Sequence, residues 1–162
     1  MKKKLLIGVV GLGVGYYHFN FLRKLKKCKL ISVCDTNQKK LDLVKKNFPK
    51  INTYKSFDLM IKKEKLDLVC VASYDNYHSS QILKLINKKI NIFVEKPMCL
   101  NYNEYFKIKS SLKVNNNVKF SSNLVLRNSP QFRVIEKKNN FEEFKNIFYI
   151  QGEYNYGRKE KI

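Results

Sequence analysis

The sequence holds no tryptophan, one alanine (Ala72), three prolines and six glycines in 162 residues. Arginine is almost as scarce, with four residues against 29 lysines. Arginine is the better bidentate reader of phosphate, and the lysines are scattered along every predicted helix instead of forming one patch. The formal charge of +20 therefore describes a solvated basic surface of the kind that A- and T-rich codons produce, and no nucleic-acid partner is expected. No apolar run approaches the roughly 18 residues of a membrane span, so no membrane partner is expected either. Low-complexity sequence is confined to Asn115–Asn117. A hydrophobic fraction of 44% with 13% aromatics belongs to a folded chain. The length suits one good core, or one domain and the start of another, and is too short for two full domains.

The four cysteines, Cys28, Cys34, Cys70 and Cys99, lack paired metal-ligand spacing, and no metal is expected. Cys34 and Cys70 fall inside apolar runs, where a buried thiol acts as a small hydrophobe, and the set points to a reducing cytoplasm. Met1–Lys4 followed by Leu5–Gly15 imitates a secretory signal. Tyr16-Tyr17-His18-Phe19 follows it with no small-x-small cleavage site, so secretion is not expected.

Short apolar runs alternate with longer amphipathic ones, the pattern of strand-helix-strand units. Strands are expected at Leu5–Val10, Leu30–Cys34, Asn52–Tyr54, Leu68–Ala72, Ile90–Val94 and Val118–Ser121. Helices are expected near Tyr17–Lys27, Gln38–Asn47, Phe57–Lys63, Asn76–Lys88 and Tyr102–Val114. Asn101 with Glu104 reads as a cap and its box-like partner, and Ser129-Pro130 opens a sixth helix near Gln131–Lys137. After Lys145 the pattern changes to a long alternating strand, "NIFYIQGEYNYGR". The expected fold is α/β: a doubly wound parallel sheet, with only the first strand of a second α/β domain. Residues 1–122 would form a dinucleotide-binding domain, and residues 123–162 a linker helix and the beginning of a truncated second domain.

Four of the six glycines lie between Gly8 and Gly15. The first strand ends at Val10, and Gly11, Gly13, Val14 and Gly15 open the following helix, where a Rossmann fold receives a dinucleotide. One glycine permits the tight turn, and another lets the backbone approach the pyrophosphate, which meets helix N-terminal N–H groups. The pattern departs from G-x-G-x-x-G, since Gly15 comes one residue early and Tyr16 takes the usual position. Asp35 ends the second strand, close to the roughly 20-residue offset at which an acid holds the adenosine ribose. Its charge would repel a 2′-phosphate, favouring NAD over NADP. Asp35 also reads as an N-cap for the helix after Thr36, and both roles can coexist.

Three further stretches carry a resemblance: the glycine turn with His18, then Ala72-Ser73-Tyr74-Asp75-Asn76-Tyr77-His78, then Glu95-Lys96-Pro97. In this order they resemble the glucose-fructose oxidoreductase, inositol dehydrogenase and MocA family over nearly the whole chain. The resemblance implies that Lys96 lies beside the nicotinamide and the reacting hydroxyl, which it polarises or deprotonates. It implies that Glu95 helps bind the cofactor, that Ser73 and His78 line the cofactor cleft, and that Asn123 and Arg127 contact substrate or cofactor. A lysine at the carboxyl end of a central strand fits that role, because burial and nearby charge there can lower its pKa. Lys96 also reads, more plainly, as one surface lysine among many. The departures are Tyr74 in place of a usual proline, the shortened glycine turn, and a second domain of which only the first strand is expected. His18 and His78 cannot supply that domain's proton relay. The closing "EYNYGRKEK" resembles the start of that domain in branches associated with surface-polysaccharide sugars.

The expected function is transfer of hydride between a nicotinamide cofactor and a sugar, nucleotide-sugar or cyclitol hydroxyl, by a fragment or one half of a split enzyme. A homo-oligomer or a complementing C-terminal chain is implied. The alternatives are a non-catalytic NAD-binding module that senses redox state and, from the charge alone, a nucleic-acid binder.

Overall fold

The structure is a computed structural model that describes residues 4–140, 149 and 151–153. The chain divides into two compact units, Met1–Leu124 and Val125–Ile162. In the first, β1 (Leu5–Val10), α1 (Gly15–Leu22), β2 (Cys28–Cys34), α2 (Gln38–Asn47) and β3 (Asn52–Tyr54) form one half. The other half follows as α3 (Phe57–Lys63), β4 (Leu68–Val71), α4 (Asp75–Asn87), β5 (Asn91–Val94), α5 (Tyr102–Val114) and β6 (Phe120–Ser122). The six strands are all parallel, in the order β3-β2-β1-β4-β5-β6. Strand order therefore reverses between β1 and β4, the switch point outside which open α/β sheets bind ligands.

Alternation along each strand feeds two cores. Ile7 and Val9 of β1, Leu30 and Val33 of β2 and Cys70 of β4 pack with Phe19 of α1 and with Leu41 and Val44 of α2. Val10, Val69, Val71, Ile92 and Val94 point the other way, onto Met60 and Ile61 of α3, Ile82, Leu85 and Ile86 of α4, and Ile108 of α5. A parallel sheet covered on both faces needs strands that are apolar throughout, which explains the short runs in the sequence.

The main departure is α1, expected over Tyr17–Lys27. It begins at Gly15 and stops at Leu22, and Lys24 and Leu25 bond back to Phe21 and Leu22 in tighter turns. The chain must return to the foot of β1, where the Leu5 N–H donates to Lys27 O at 3.1 Å and Leu5 pairs with Cys28. That pairing shortens the helix and starts β2 two residues before the expected Leu30. In the second unit, Val125–Asn128 form a short 3-10 helix and Pro130–Asn140 form α6. Tyr149 and residues 151–153 have no regular structure. The rest of the strand expected after Lys145 lies outside the described residues.

Candidate functional site

The loops at the carboxyl ends of the strands gather at the switch point. The Gly11 N–H donates to Cys34 O at 2.7 Å, seating the turn against β2. Gly11 has φ of +82°, and a Cβ there would lie 2.2 Å from the Ala72 carbonyl oxygen. The tip of β4 thus leaves no room for a side chain, in a conformation that L residues resist. At Gly15 a Cβ would press on Ala72 Cβ at 3.0 Å. Gly13 differs, because a Cβ there would meet nothing within 4 Å.

Three helices of this unit carry side-chain caps: Asn37 accepts from the Lys40 N–H, Ser56 from the Leu59 N–H and Asn101 from the Glu104 N–H. Val14, the exposed residue at the start of α1, supplies none, and no acid lies in that first turn. The Tyr16 and Tyr17 N–H groups turn back onto Gly13 O and Val14 O at 3.2 and 3.0 Å, and with no side-chain cap at this helix start its dipole remains favourable to an anion.

Asp35 stands at the tip of β2. Its Oδ2 accepts the Leu12 N–H from within the glycine turn at 2.6 Å, its Oδ1 accepts the Asn37 N–H at 2.7 Å, and the Lys40 ammonium lies 3.7 Å away. The cap of α2 is Asn37 and not Asp35, so the capping alternative is corrected. Asp35 instead ties the two loops together.

On the other side of the switch point, three elements meet at Glu95. His18 of α1 donates from Nε2 to Glu95 Oε1 at 2.6 Å, and Asn123, just beyond β6, donates from Nδ2 to the same oxygen at 2.7 Å. The Glu95 N–H is fixed on Val71 O and the Asn123 N–H on Val94 O. Burial pulls the Glu95 carboxyl upward, but the bonds from His18 and Asn123, the His18 charge and the Lys96 backbone N–H outweigh it. The net shift is below the usual carboxylate value. Lys96 follows, exposed at the mouth, and its peptide bond to Pro97 is cis.

Ser73 is half-exposed just beyond the tip of β4, whereas His78 occupies different surroundings from those expected. The Ser73 hydroxyl donates to Gln81 Oε1 at 2.7 Å. The His78 ring is fully buried, with Nδ1 2.7 Å from Pro97 O and Nε2 3.0 Å from Ser73 O. It presents no surface to a cleft and ties the loop after β4 to the loop after β5. Arg127 belongs to the second unit, exposed within the 3-10 helix. Sequence reasoning missed the bond from His18 to Glu95, the bond from the Leu12 N–H to Asp35, and Lys40 altogether. A histidine on the first turns of α1 was visible, but its partner was not.

These residues fit a dinucleotide. Gly11 and Gly13 open a backbone cradle before an uncapped helix, with an acid on the β2 side and the Glu95 cluster and Lys96 on the β5 side. Among the described residues no group of three or more His, Cys, Asp or Glu gathers as for a metal ion, and no helix is long and apolar enough to cross a membrane.

Residues 5–124 match the sequence model of an oxidoreductase family with an NAD-binding Rossmann fold. Myo-inositol 2-dehydrogenase of Thermotoga maritima is 31% identical over 96 residues, 59% of this chain and 29% of that protein. The crystal structure of myo-inositol 2-dehydrogenase from Lactobacillus plantarum superposes with a TM-score of 0.81 at 26% identity, covering 87% of this chain and 42% of that one. Scyllo-inositol dehydrogenase from Lactobacillus casei, solved with bound NAD(H) and scyllo-inositol, gives the same values. The chain thus spans under half the length of these solved relatives and under a third of the curated one.

Proposed function

This chain belongs to the Gfo/Idh/MocA oxidoreductase family with its NAD-binding Rossmann fold, and we propose that it supplies the cofactor-binding half of an enzyme that oxidises a cyclitol or sugar hydroxyl. The observation that carries the reading is the glycine turn hydrogen-bonded to Asp35 on one side of the switch point, with Lys96 at the strand tip on the other. In this reading the Gly11–Val14 backbone and the α1 N-terminus hold the pyrophosphate. Asp35 accepts the ribose hydroxyls and disfavours a 2′-phosphate, so that NAD is preferred to NADP. A nicotinamide held there would supply the hydride acceptor for the carbon that is oxidised. Lys96 holds the hydroxyl oxygen of the substrate and takes its proton as the carbonyl forms. Glu95 and Asn123 shape the wall beside it. Residues 1–122 are proposed as the dinucleotide domain, and Arg127 as a substrate contact in the segment that follows. The four free cysteine thiols support a cytoplasmic setting.

The test is titration of the purified chain with NADH, NADPH, NAD+ and duplex DNA. NADH is expected to bind at least about tenfold more tightly than NADPH, because the Asp35 charge opposes the extra phosphate. Salt-sensitive retention of DNA with no response to either dinucleotide would replace this reading with the nucleic-acid one. Dinucleotide binding without turnover of any cyclitol or sugar, once the chain is assembled with its substrate domain, would favour the sensing module.

A further inference from the structure

The Glu95 carboxylate is a fixed charge. Its side chain is only 12% exposed, and one oxygen receives donors from two separate elements, His18 on α1 and Asn123 after β6. The His18 ring is itself wedged edge-on against Phe93 of β5, with centroids 5.4 Å apart. A carboxylate held by two donors keeps its charge and its place, whereas one free in solvent would swing and be screened. Two halves of a doubly wound sheet receive the two halves of a dinucleotide. Asp35 marks the adenosine half at the tip of β2, so Glu95, at the tip of β5 across the switch point, stands on the nicotinamide half. The nicotinamide ring carries a positive charge when oxidised and none when reduced.

We infer that the Glu95 carboxylate, anchored by His18 and Asn123, selects the oxidation state of the cofactor, binding the cationic oxidised ring in preference to the neutral reduced one. This rests on the proposed dinucleotide site. Attraction between a fixed carboxylate and the ring cation adds to NAD+ binding and contributes nothing to NADH binding, so the reduced cofactor leaves more readily after an alcohol has been oxidised. Lys96, adjacent, is present in the native chain and in E95Q and faces all three ligands alike, and therefore cancels in the comparison.

The experiment compares dissociation constants of NAD+, NADH and ADP-ribose, which lacks the ring, for the chain and its E95Q variant. Glutamine keeps an acceptor for both donors while removing the charge. The preference for NAD+ over NADH should fall about fivefold or more in E95Q, with ADP-ribose binding unchanged. H18K sets a permanent cation against the same carboxylate and should shift the preference in the same direction, which keeps the inference testable if E95Q does not fold. An unchanged preference in the variant that folds overturns it, as does equal weakening of all three ligands, which is the result a merely structural tie would produce. Binding of NAD+ and NADH in the same ratio with and without the Glu95 charge defeats this inference alone, whereas failure of the unaltered chain to bind any of the three ligands defeats the dinucleotide site as well.

Discussion

At Gly11 and Gly13 the same substitution should have opposite consequences. Gly11→Ala forces a methyl group toward Ala72 O in a left-handed backbone conformation, and should cost roughly 2 kcal/mol or more of stability, read from urea unfolding. Gly13→Ala adds a methyl group to open space. It should leave the urea midpoint nearly unchanged and weaken NADH binding roughly tenfold or more, because only a bound phosphate needs that space. Glu95 supplies a pH signature. Its carboxyl titrates below the ordinary 4.5, so its bonds stabilise the fold at neutral pH, and that stabilisation is lost as pH falls from about that value through the depressed folded one. E95Q should be less stable than the native chain at neutral pH, with the gap closing in acid, as urea midpoints at pH 7 and pH 3 will show. The acid at the end of β2 and the glycines were legible in the sequence, because their spacing follows from one strand and one turn. The bonds that define their surroundings were not. Leu12 and Asp35 lie 23 residues apart, and His18 and Glu95 lie 77 apart.

Elements were the most readable level. β1, β3, α2, α3 and α5 occupy their expected residues, because apolar period, caps and polar connections agree there. In α5 the Asn101 side chain accepts the Glu104 N–H while the Glu104 carboxylate accepts the Leu100 N–H, one residue before the expected box partner. α1 was misjudged because its apolar period continues past the point where tertiary pairing of Leu5 with Cys28 requires the chain to turn. The reading of Cys34 and Cys70 as buried hydrophobes follows the strand pattern and has a chemical consequence. Burial, with Asp35 and Asp58 nearby, pushes the Cys34 thiol up to about 12, and burial with Glu95 nearby does the same for Cys70. Neither should react with iodoacetamide at pH 8 in the folded chain, and both should be alkylated in denaturant, as peptide mass spectrometry will report. Half-exposed Cys28 serves as the accessible thiol in the same sample.

Across the whole molecule, a ligand that grips the loops of the first unit must stabilise all of it, since those loops join every strand of one sheet. NADH at 100 times its dissociation constant should add about 2.7 kcal/mol to unfolding, seen as a higher urea midpoint, with NADPH at the same concentration adding less. The surface charge of +20 should leave that difference standing in moderate salt, since it rests on the local charge of Asp35. By itself the sequence determined the alternation of strand and helix, the glycine turn, the acid after β2 and the Glu-Lys-Pro stretch, because period, turn chemistry and short spacing act over a few residues along the chain. Only the tertiary structure decided that Asn37 and not Asp35 caps α2, that His78 is buried between two carbonyls, and that His18 and Asn123 converge on one oxygen of Glu95. The contacts of His78 with Pro97 and of His18 and Asn123 with Glu95 exist only once parallel pairing has brought the carboxyl ends of distant strands side by side.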